Sequence, residues 1–103
     1  MKPKVYPRSV PHDQQVIERL RKDPQFASEY LKAAMEDEDE PQVLLIALRR
    51  IAEARGGITQ IARKAGVERE SLHRALSARG NPRFSTLSAI AKAVGLRLTV
   101  EPV

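Results

Sequence analysis

The chain has 103 residues, 42% of them hydrophobic, and its 18 basic and 13 acidic side chains leave a net charge of +5. That length suits one small domain, and the absence of cysteine excludes a disulfide framework and thiolate chemistry. No apolar run approaches the roughly 18–20 residues that cross a bilayer, and the N-terminus lacks the apolar stretch of a secretory signal, so a cytoplasmic protein is expected.

Only four residues are aromatic and none is Trp. The core is therefore expected to consist of Leu, Ile, Val and Ala packed between helices. Charge is unevenly spread: residues 1–40 carry seven basic and nine acidic side chains, and residues 41–103 carry eleven and four. A cationic second part of this kind attracts polyphosphate.

Residues 1–12 hold three prolines and no helical period, which predicts an extended N-terminal arm. Its Lys2, Lys4 and Arg8 suit phosphate contact, but the reading favours a mobile arm or one that docks on a partner. Residues 13–40 then form an N-terminal helical segment. Asp13 is placed to cap a short helix with Val16, Ile17 and Leu20 on one side. Asp23-Pro24 is a second start, with Asp as N-cap and Pro at the first helical position. Phe26, Ala27, Tyr30, Leu31, Ala34 and Met35 follow at spacings of three and four, one buried face.

Glu36 to Glu40 are five consecutive acids. Negative charge disfavours a helix C-terminus and favours an N-terminus, so the run is read as a solvated hinge between two helices. It lacks the glycine and terminal glutamate spacing of a calcium loop, and no metal or other cofactor is expected.

Residues 41–103 form the third unit. Pro41 to Arg55 predicts a helix with Val43, Leu44, Ala47, Leu48, Ile51 and Ala52 inward, ended by Gly56-Gly57. Ile58 to Ala65 predicts a short helix burying Ile58, Ile61, Ala62 and Ala65. Gly66 supplies the positive φ of a tight turn, and Val67 plugs the gap between helices. Glu68 to about Ala78 is a second short helix with Leu72, Ala75 and Leu76 inward. Two short helices joined in this way are written like a helix-turn-helix. After the Gly80-Asn81-Pro82 turn, Ser85 is expected to cap a last helix with Leu87, Ile90, Ala91 and Val94 inward, ended by Gly95. Leu96 to Val100 alternates apolar and polar residues, the period of a half-buried strand. The expected fold is thus all-α, about five to six helices with a short C-terminal β-strand. A lone strand leaves an unpaired edge, for which a second copy is the simplest partner, so a homodimer is expected.

The second short helix would enter the major groove, its first residues nearest the base edges. Arginine reads guanine in a bidentate pair, and Ser or His can make single hydrogen bonds. Arg69, Ser71, His73 and Arg74 have that chemistry. Thr59, Gln60, Arg63 and Lys64 would lie beside the backbone and position without specifying. Glu70, like Glu68, is unfavourable near phosphate unless it accepts from a cytosine amine or pairs with an arginine. The competing readings are a plain helical core with inert outward residues, and a protein-docking module without DNA binding.

An enzyme is not expected. The two histidines, His12 and His73, are too few soft ligands for a zinc site. Ser71 and His73 lie about 200° apart around a helix and cannot pair as nucleophile and base.

From about Asp23 to Val100 the chain resembles the addiction-module antidote proteins, small antitoxins with an Xre-type, lambda-repressor-like helix-turn-helix. The residues that carry the resemblance are Tyr30-Leu31 before the acidic run, Leu48 with Ile51-Ala52, Gly57 to Ala62, Ala65-Gly66-Val67, Arg69 to Ser77, Gly80-Asn81-Pro82, and Leu87 through Leu98. Arg69-Glu70-Ser71-Leu72 is usual in that family, which makes the glutamates less anomalous. The resemblance implies a type II toxin–antitoxin role: neutralising a small basic toxin of the RelE/ParE-like kind, and repressing its own operon as a dimer on palindromic double-stranded DNA. The arm of residues 1–12 departs from the family pattern, and Gln60 is offset from the glutamine usual in lambda-type first helices.

Overall fold

Residues 13–37 and 39–103 are described by the computed structural model. The expected N-terminal arm, residues 1–12, lies outside the described residues. Six helices follow in order: α1 (Asp13–Lys22), α2 (Pro24–Met35), α3 (Gln42–Ala54), α4 (Ile58–Ala65), α5 (Arg69–Ala75) and α6 (Phe84–Ala93).

Helix α1 places Leu20 at zero exposure in the core, with Val16 and Ile17 packed against it. On its outer side Glu18 pairs with Arg21 and Lys22. Hydrogen bonds from Lys22 and Arg21 hold the Glu18 carboxyl below the ordinary carboxylate range. A single residue, Asp23, separates α1 from α2. Its extended backbone breaks the helix, and its carboxylate accepts the Phe26 N–H at 3.0 Å, with Pro24 opening the new helix. This is the N-cap that Asp-Pro predicts.

Helix α2 buries Phe26, Ala27, Tyr30, Leu31 and Ala34. The Phe26 and Tyr30 rings tilt together at 6.0 Å between centroids, and the Arg19 guanidinium covers Phe26 at 3.9 Å. Met35, expected in the core, is 47% exposed. It is the last residue of α2, where the helix ends and the chain turns into the acidic connection. There the Asp37 carboxylate accepts the Glu40 N–H at 3.2 Å, turning the chain before α3.

Helix α3 is the centre of the core, packed by α1, α2 and α4. Contact from several sides widens its buried stripe. Leu45 and Ala54 are buried beside the expected Val43, Ala47, Leu48, Ile51 and Ala52, and Leu44 is only partly covered. At its end the Arg55 side chain turns inward. Nε donates to the Leu20 carbonyl oxygen at 3.0 Å and Nη1 to the Val94 carbonyl oxygen at 3.4 Å. Both acceptors are carbonyls at helix ends, where the dipole favours a cation.

Helix α6 starts at Phe84, not after Ser85. Arg83 stands at the N-cap position with extended backbone and makes no side-chain cap bond, so the expected Ser85 cap is corrected. Main-chain pairing sets this start, since the Leu87 N–H donates to the Arg83 carbonyl oxygen at 3.0 Å. Ile90, Ala91 and Val94 are buried and Leu87 partly so. Gly95, at φ +89°, closes the helix while the Leu96 N–H returns to the Ala91 carbonyl oxygen at 2.8 Å.

The expected C-terminal strand is not seen: among the described residues there is no β-structure. Leu96 and Leu98 do pack on the core while Arg97, Thr99 and Val100 face out. The alternation is kept but the ladder is absent, because a strand needs a partner for its backbone bonds. Among the described residues no helix is long and apolar enough to cross a membrane.

Candidate nucleic-acid interface

The site is built on α4 and α5, joined by Gly66, Val67 and Glu68. Gly66 is left-handed at φ +72°, its N–H donating to the Arg63 carbonyl oxygen at 3.3 Å and that of Val67 to the Ala62 carbonyl oxygen at 2.9 Å. This glycine-closed end stops α4 by local bonds alone. Val67 is partly buried against the core as the plug that the pattern predicts. Ile61 and Ala62 hold α4 down, and Leu72 and Leu76 hold α5, both leucines at zero exposure.

Helix α5 is shorter than expected. It ends at Ala75 with Leu76 as its C-cap, rather than near Ala78. The Ser77 hydroxyl donates to the Arg74 carbonyl oxygen at 2.8 Å, and a serine bond of this kind competes with helix continuation. The turn then closes through the Gly80 N–H on the Ser77 carbonyl oxygen at 2.9 Å.

With the leucines buried, the candidate side chains lie outward. Thr59, Gln60, Arg63, Arg69, Glu70, His73 and Arg74 are exposed, and Ser71 is partly covered. Two polar chains connect several of them. Thr59 Oγ1 accepts from Arg69 Nε at 2.9 Å, and Arg69 Nη1 pairs with Glu70 Oε2 at 3.3 Å. Ser71 Oγ donates to Glu68 Oε1 at 3.2 Å and accepts from Arg74 Nη2 at 3.5 Å. Gln60 stands apart. Its amide end lies over Gly56, where a Cβ would sit 2.9 Å from Oε1. Arg63 and His73 enter neither chain. Glu68 is the participant that the candidate set omits. Its signal in sequence is a carboxylate three residues before Ser71, the spacing at which helical side chains meet.

Among the described residues these elements define a small helical fold that carries a polar, arginine-bearing surface on two consecutive short helices. Residues 12–102 match the family described as "Probable addiction module antidote protein", and the chain belongs to that family. It is 47% identical over 64 residues to an uncharacterized protein of Haemophilus influenzae (strain ATCC 51907 / DSM 11121 / KW20 / Rd), an overlap covering 62% of this chain and 65% of the relative. The chain thus matches just under two thirds of that relative's length. No solved structure matches the chain.

Proposed function

We propose that this chain is the antidote of a type II toxin–antitoxin module. It binds a small basic toxin of the RelE/ParE-like kind and, as a homodimer, represses its own operon through an Xre-type, lambda-repressor-like helix-turn-helix formed by α4 and α5. Family membership supports the antidote role. One observation carries the DNA-binding part: Arg69 and Arg74 are exposed on a helix anchored from beneath by Leu72 and Leu76.

In this reading α5 lies in the major groove of an operator duplex. Arg69 and Arg74 read guanine edges, Ser71 and His73 supply single hydrogen bonds, and Glu70 accepts from a cytosine amine. Thr59, Gln60 and Arg63 sit along the phosphates and set register. A homodimer would place two reading helices on a palindrome.

The DNA test starts from duplexes that the protein selects out of a random pool. Arg69→Ala and Arg74→Ala should each weaken the selected duplex about tenfold or more, as the loss of a bidentate base contact does. Unchanged affinity and unchanged salt dependence in both variants would overturn DNA reading. The toxin test is co-expression with the small basic product of the adjacent gene. Growth should be restored and a complex should co-purify; neither outcome would leave at most a stand-alone regulator.

A further inference from the structure

The start of α5 carries Glu68, Arg69 and Glu70, two carboxylates against one guanidinium, while Arg74 lies in the last turn and reaches back to Ser71. The two carboxylates do not serve the helix in the usual way. Glu68 is at the N-cap but makes no side-chain bond to the helix N–H groups. Each carboxylate holds a side chain instead: Glu68 takes the Ser71 hydroxyl, and Glu70 takes Arg69 Nη1 at 3.3 Å. Thr59 occupies Arg69 Nε at 2.9 Å. The guanidinium is thus held at two nitrogens, Nε by a hydroxyl and Nη1 by a carboxylate, yet remains open to solvent, with the Arg69 side chain 56% and the Glu70 side chain 67% exposed.

An exposed ion pair is weak and exchangeable. Whether a duplex displaces Glu70 therefore depends on what it offers in exchange. Phosphate can also take the fork in a bidentate pair, but it is an anion, and a carboxylate already beside the arginine reduces that attraction and repels the phosphate itself. A guanine edge offers two neutral acceptors in the geometry of the guanidinium fork, and its partner cytosine offers an amine that a released carboxylate can accept from. The exchange is favourable at a G·C pair in register and unfavourable along an arbitrary backbone.

We infer that Glu70 is a positioning residue acting through Arg69, a carboxylate gate that withholds the arginine from phosphate and yields it to a guanine edge, so that it sets sequence discrimination by weakening non-specific binding. This inference rests on the DNA-reading role proposed for α5.

The test is a double-mutant cycle of wild type, Glu70→Gln, Arg69→Gln and the double variant. Each is titrated over a salt series against the duplex that wild type selects from a random pool and against a shuffled duplex of equal composition. Glu70→Gln should tighten the shuffled duplex about three- to fivefold, the scale of an exposed pair, while leaving the selected duplex unimproved. The logarithmic salt slope on shuffled DNA should steepen by about one, since the freed arginine gains one phosphate. Both changes should vanish in the Arg69→Gln background. Equal tightening of both duplexes, or an effect that persists without Arg69, would overturn the gate and leave Glu70 as a plain through-space charge. A wild-type protein that selects no sequence from the pool ends the DNA-reading proposal itself, a result distinct from either outcome of the cycle.

Discussion

Arg55 Nε donates to the Leu20 carbonyl oxygen at 3.0 Å across 35 residues of sequence. The same guanidinium reaches the Val94 carbonyl oxygen at 3.4 Å, so one side chain joins the ends of α1, α3 and α6. Hydrogen bonds from charged donors are each worth about 1.5–3 kcal/mol. The Val94 bond is long and Nη2 is buried without a partner among the described residues, so Arg55→Ala should lower unfolding free energy by about 2–3 kcal/mol, less than two full bonds, read by urea denaturation followed by circular dichroism. Arg55→Lys, which lacks the fork, should recover less than half of the loss. A change within error for Arg55→Ala would show that the two bonds contribute nothing net.

Tyr30 is 2% exposed, and its hydroxyl is buried without a hydrogen-bond partner among the described residues. A buried polar group without a partner is a cost to folding, so Tyr30→Phe should be neutral or stabilising by up to about 1 kcal/mol. Burial also pushes the phenol pKa upward from its ordinary 10.0. The unfolded chain then loses this proton first. Stability from this group is complete below the unfolded value and falls as pH rises above it. Melting curves between neutral and strongly alkaline pH should show a shallower alkaline loss for Tyr30→Phe than for wild type.

Two glycines of the α4–α6 region make different demands. At Gly66 a Cβ would meet nothing within 4 Å, so only the positive φ of +72° resists it. Gly66→Ala should cost about 1 kcal/mol, the left-handed penalty. At Gly80 a Cβ would lie 2.1 Å from the Ala75 carbonyl oxygen. The backbone must move to admit it, and Gly80→Ala should cost about 2–3 kcal/mol, within the range for overpacking. Denaturation midpoints of the two variants in the opposite order would refute the assignment.

Leu72 fixes α5 to the core at zero exposure. Leu72→Ala should cost about 2–5 kcal/mol. Amide exchange should show protection in α5 falling by more than in α1, because the lost contacts lie directly beneath α5.

The features legible in the amino-acid sequence are those set by short-range bonds. Asp23 capping Phe26, Gly66 closing α4 and Gly95 closing α6 each depend on neighbours within a few residues. What sequence does not show is set by tertiary neighbours. Leu45 and Ala54 are buried because α3 is packed from several sides, and Leu96 to Val100 has the period of a strand but no strand beside it. The same division holds at the interface. Arg69 stands out by residue type and position, but its bond to Thr59 crosses ten residues and the turn between two helices. The bond between Ser71 and Glu68, three residues apart, belongs with the short-range features that sequence spacing signals.

The anchoring of α5 by Leu72 and Leu76 makes the chain unequal in its tolerance to changes of length. One residue inserted between Ser71 and Leu72 swings Arg69 about 100° around the axis relative to those leucines, carrying it off its surface with every side chain chemically intact. The same insertion in the acidic connection between α2 and α3 alters no helical phase. Loss of function by insertion should therefore be sharply localised, in places where substitution is well tolerated.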